Sequence, residues 1–63
     1  MKKFNIWKIN GKEDLFCCQI EAKNQKSALK KYRKTLLSSG QCWMENNILL
    51  SSYGGQWEAI ETV

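Results

Sequence analysis

The most constraining feature of this chain is a change of hydrophobic period over a few residues. From Leu15 to Ala22, the residues Phe16, Cys18, Ile20 and Ala22 alternate with Cys17, Gln19 and Glu21, the two-residue period of a strand that buries one face. Beyond Asn24 the period becomes helical. Ala28, Leu29, Tyr32 and Leu36 fall within one arc of about 100°, and Lys26, Lys30, Lys31, Arg33 and Lys34 occupy the remainder. Asn24 is a good N-cap, and no β-branched residue follows it until Thr35. This predicts an amphipathic helix from about Gln25 to Leu37, ended by Ser38-Ser39-Gly40, with Gly40 near the left-handed C-terminal position. A single helix cannot cover a core by itself, so a sheet face must receive its apolar stripe.

Phe4 to Asn10 is rich in aromatic and branched residues, and Asn10-Gly11 then favours a hairpin turn that Lys12, Glu13 and Asp14 widen. Phe4 and Ile6 lie on one face of this first strand, but Trp7 and Ile9 lie on the other. Either a bulge or cover on both sides is implied. Gln41 to Glu45, Ile48 to Ser52 and Gln56 to Thr62 read as short strands separated by turns at Asn46-Asn47 and Tyr53-Gly54-Gly55. The order is ββαβββ, or ββαββ if the short strands merge. The expected fold is α+β and two-layered, with one amphipathic helix packed on a curled antiparallel sheet. Residues 1–63 form one small domain without internal repeat or linker.

A hydrophobic content of 43% places the chain among folded domains and above disordered ones. No window approaches the roughly 20 apolar residues of a membrane helix, and the basic start is not followed by an apolar signal segment. A cytoplasmic protein with no membrane partner is expected. Cys17, Cys18 and Cys42 make an odd set, which excludes full disulfide pairing within one chain. Because neighbours on a strand point to opposite faces, one of Cys17 and Cys18 should enter the core and the other be partly exposed. With no histidine and no C-x-x-C spacing, no metal site is expected. Catalysis also has little to draw on. Glu13, Asp14, Glu21, Glu45, Glu58 and Glu61 are scattered, and no cysteine has an imidazole partner. The expectation is a non-enzyme without cofactors. Gly54-Gly55 lacks the following lysine of a phosphate-binding loop and reads as a turn.

Charge is strongly segregated. Residues 1–22 sum to +1, residues 23–34 to +6 and residues 35–63 to −3, so the net +4 is owed to one segment. Lys23, Lys26, Lys30, Lys31, Arg33 and Lys34 form a candidate partner-binding ridge for an acidic protein face or nucleic acid; a merely solvated helix face would look the same. Five of these six are lysines, which act as point charges without the planar fork that reads guanine. Any direct nucleic-acid binding would therefore follow the phosphate backbone. Trp7, Trp43, Tyr53 and Trp57 are candidate aromatic contacts, either a stacking platform or the centre of a protein interface. The competing reading puts two of the tryptophans in the core with Phe4, Phe16 and Tyr32. The Trp57, Ala59, Glu61 face has acidic neighbours and no lysine near in sequence, which favours protein over nucleic acid.

The run Phe16-x-Cys18-x-Ile20-x-Ala22-x-Asn24 leading to Ala28-Leu29-x-x-Tyr32 resembles the strand-to-helix joint of many small proteins of phages and mobile elements. It covers about 17 of the 63 residues and is a low-specificity pattern. The resemblance implies an accessory role, often inhibition of a host or defence factor by direct binding. The leading expectation is a non-catalytic inhibitor or adaptor on a host protein or nucleoprotein complex, with the helix for steering and aromatics or a sheet edge for affinity. Nonspecific nucleic-acid binding is one alternative, and a self-associating structural component is another. A homodimer would hide aromatic surface that a chain this small struggles to bury.

Overall fold

The computed structural model describes residues 1–36 and 41–62. The chain forms β1 (Lys2–Lys8), β2 (Leu15–Ala22), α1 (Gln25–Arg33), β3 (Cys42–Glu45), β4 (Ile48–Ser51) and β5 (Gln56–Glu61). The strands build one antiparallel sheet in the order β2-β1-β5-β4-β3. It is a small α+β domain with the ββαβββ order among the described residues.

Local chemistry explains most element boundaries. Asn46 and Asn47 both have positive φ, 50° and 63°, so β3 and β4 are joined by a turn whose twist matches that of the paired strands. β1 lies two residues earlier than Phe4 to Asn10, because the chain leaves the β1–β2 ladder after Lys8. Ile9 still donates its N–H to the Gln56 carbonyl at 2.8 Å. The Asn24 side chain accepts from the Ser27 N–H at 2.9 Å and caps α1. The helix ends at Arg33 instead of reaching Leu37. Beyond it, the Thr35 N–H and hydroxyl both donate to the Tyr32 carbonyl, at 2.9 and 2.7 Å, and the Leu36 N–H donates to Arg33 at 3.1 Å. These three-residue spacings tighten the last turn and divert a carbonyl that would have continued the helix. Leu37 and the expected stop at Ser38, Ser39 and Gly40 lie outside the described residues.

The core occupies one face of the sheet. Phe4, Ile6, Ala22, Cys42, Leu49, Trp57 and Ala59 are buried there beneath Ala28 and Leu29 of α1, with Tyr32, Leu36 and Met44 packed around them. Gln25 ties the first turn of the helix to the central strand by donating to the Ala59 carbonyl at 2.8 Å. Gly55 is required by a close approach, since a Cβ there would sit 2.5 Å from the Trp57 ring.

One irregularity decides which side chains face out. Ile6 pairs with Cys18, but the next residue, Trp7, pairs with Phe16, leaving Cys17 as an extra residue on β2. The bulge offered as one reading of the first strand is therefore not on β1 but on its partner β2. It overturns two expectations. Cys17 and Cys18 do not divide between core and surface; both are half-buried and both pack against the core. Phe16, which simple alternation puts on the side of Cys18, is turned to the other face and is 55% exposed.

Candidate interaction surfaces

The helix covers one side of the sheet, so the molecule has two broad faces of different chemistry. On the helix side, Lys23, Lys26, Lys30, Lys31 and Lys34 are all exposed. Lys23 precedes the cap, Lys34 follows the last helical residue, and the others lie on α1. No acid sits in the first turn, while Lys30, Lys31 and Arg33 crowd the last, where the macrodipole favours cations. The cations are not equivalent. Lys31 reaches back to the Glu21 carbonyl of β2 at 2.6 Å, and Arg33 is half-buried and already engaged. Lys23, Lys26, Lys30 and Lys34 make no ion pair among the described residues. An ion pair between Lys2 and Glu61, at 3.5 Å, lies elsewhere and is exposed on both sides, a geometry that contributes little.

The aromatic candidates do not form one platform. Trp57 is 8% exposed and belongs to the core, with its ring 6.0 Å from that of Tyr32 and Lys8 Nζ 5.8 Å above it. It is therefore removed from the exposed set, and the face it shares with Ala59 is the helix-covered one. Tyr53 projects from the β4–β5 turn and is 74% exposed. Trp7 and Trp43 do lie on the open side of the sheet. There Trp7 is joined by Phe16, their rings meeting edge to face at 5.5 Å.

Cross-strand register puts the open side into two adjacent rows. The first runs Phe16, Trp7, Glu58, Ile48, Glu45 across β2-β1-β5-β4-β3. The second runs Ile9, Gln56, Leu50, Trp43. Ile60 lies beyond the first row and is 48% exposed. Trp7, Ile9, Ile48 and Leu50 are partly buried, yet none is packed against the core, which separates this apolar set from the helix side. Ile9, Ile48, Leu50 and Ile60 carry no contact role in the sequence reading, and Phe16, which that reading puts in the core beside Phe4 and Tyr32, is on the open face because of the bulge. A usable signal was present: Ile48-Leu49-Leu50 is a continuous apolar run, the pattern of a strand contacted on both faces.

Near the helix, Tyr32 links α1 to the bulge. Burial first, then its hydrogen bond to Cys17 and the neighbouring Cys17 and Cys18 thiols, push its hydroxyl up to about 12. Burial, followed by the adjacent Cys17, also raises the Cys18 thiol. A raised thiol carries less thiolate at neutral pH and is a poorer nucleophile. Among the described residues no group of three or more Cys, Asp or Glu side chains is arranged to hold a metal ion, and no helix is long and apolar enough to cross a membrane. No protein family, no curated protein and no solved structure matches this chain.

Proposed function

We propose that this chain is a non-catalytic binding protein that occupies an acidic surface of a protein or nucleoprotein complex through its helix side, acting as an inhibitor or adaptor of its partner. The observation that carries this reading is the unneutralised set Lys23, Lys26, Lys30 and Lys34 on the surface opposite the open sheet. These are flexible, strongly hydrated point charges, suited to steering and to an extended acidic face more than to a shaped pocket. Separating cations from aromatics also disfavours single-strand binding, in which bases stack on rings while nearby cations follow the backbone. On the open face Trp7 faces Glu58 across the ladder, and the Trp43 indole donates to Glu45 at 3.4 Å.

The test compares the wild-type chain with Lys26→Glu/Lys30→Glu/Lys34→Glu as bait in nuclease-treated extract, alongside titrations with duplex DNA at several salt concentrations. Capture of a discrete acidic protein by the wild type and its loss in the variant supports the proposal. Equal capture by both defeats it. Tight duplex binding with a log-log salt slope of roughly −4 would instead establish direct phosphate contact as the function.

A further inference from the structure

We infer that the open sheet face is the docking site for a second copy of this chain, forming a symmetric dimer in which two sheets pack face to face and the two lysine-bearing helices lie on the outside. This goes beyond the proposal for the helix side and does not depend on it.

Size narrows the choice of surface. A stable interface takes about 800 Å² from each partner. For a molecule of 31 × 27 × 20 Å, that amounts to essentially one whole broad face. Pairing the helix sides would oppose Lys26, Lys30 and Lys34 with their own copies. The open sheet instead offers Trp7, Phe16, Ile48, Leu50, Trp43 and Ile60, three of them about half exposed at 55%, 46% and 48% for Phe16, Trp43 and Ile60. Sheets packed in this way interdigitate side chains about 10 Å apart.

The register of the two rows makes the face complementary to itself. A two-fold axis lying in the interface, across the strands and midway between the rows, turns each strand against its own copy and exchanges the rows. Each residue of the Trp7–Glu58–Ile48–Glu45 row then faces its same-strand neighbour two positions away. Trp7 meets the second copy's Ile9, and Ile48 meets its Leu50. Glu58 meets Gln56, and Glu45 meets Trp43. Both acids of the row are therefore placed opposite N–H donors, an amide and an indole, while apolar side chains meet apolar ones. Trp43 Nε1 already donates to Glu45 Oε2 at 3.4 Å within one copy, so this pairing of groups is one the chain uses. Such an isologous arrangement satisfies the carboxylate that otherwise sits among Trp7, Ile48 and Ile60.

The experiment is sedimentation equilibrium of the 63-residue chain over a wide concentration range. A reversible monomer–dimer equilibrium is expected; a strict monomer throughout overturns the inference whatever the variants do. Ile48→Glu should weaken the dimer about a hundredfold or more, because in each copy it sets a third acid between Glu58 and Glu45 and opposite the apolar Leu50 of the second copy. Gln56→Glu should weaken it at least about tenfold by setting acids against Glu58. Adding Glu58→Gln to Gln56→Glu exchanges donor and acceptor and should restore association. A dimer indifferent to all three variants, or one that the double variant fails to rescue, excludes this interface. Retained far-ultraviolet circular dichroism checks folding in each case. Loss of helix-side binding in the lysine variant with the dimer intact would show that the two surfaces act separately.

Discussion

Trp7 and Phe16 meet edge to face on the uncovered side of the sheet, ring centroids 5.5 Å apart and planes at 73°, because the extra residue Cys17 changes the phase of β2 between Cys18 and Phe16. Edge-to-face pairs contribute about 0.5–1.5 kcal/mol beyond burial. This pair has no core behind it.

Phenylalanine position should therefore decide the cost of truncation. Phe16→Ala, at a site 55% exposed, is expected to lower unfolding free energy by about 1 kcal/mol, chiefly from the lost Trp7 contact. Phe4→Ala, at 2% exposure, leaves a cavity and should cost about 3–5 kcal/mol. Urea unfolding at low protein concentration, where any dimer is dissociated, measures both. Equal costs would mean that Phe16 is buried in solution.

At Gly55 the constraint is a neighbour instead of a torsion. An added Cβ lies 2.5 Å from Cη2 and 3.0 Å from Cζ3 of Trp57, a ring held between Tyr32 and Lys8. Gly55→Ala is expected to destabilise by about 1–3 kcal/mol, as overpacking does. The Trp57 emission should shift toward that of an exposed indole. A neutral effect in urea unfolding would show that the ring moves aside freely.

Tyr32 gives the fold an alkaline limit. Its hydroxyl is raised from 10.0 to about 12 by burial, by the Cys17 hydrogen bond and by the neighbouring thiols. The unfolded chain therefore releases this proton at lower pH than the folded chain. The stabilisation is whole below pH 10 and is lost as pH rises through about 12. The urea midpoint of the wild type should fall more steeply across that window than that of Tyr32→Phe, which has no proton to lose. Parallel curves would rule out a folded-state shift at Tyr32.

What could be read in the residues was what short-range chemistry controls. The alternation from Leu15 to Ala22 delimits β2, Asn24 caps α1, Asn46-Asn47 supplies two positive φ values, and the lysines take the solvent side of the helix. Each depends on groups within a few positions of one another. Tertiary structure alone decided the rest. β5, last in the chain, inserts between β1 and β4, and the register it adopts buries Trp57 while leaving Trp43 on the open face. Alternation assigns residues to opposite faces but cannot say which face a distant helix will cover. A single unpaired residue at Cys17 is enough to send Phe16 outward and keep two adjacent cysteines against the core. Such phases are set by hydrogen bonds between strands remote in sequence, and from them follows the division of this small domain into a cationic side and an apolar one.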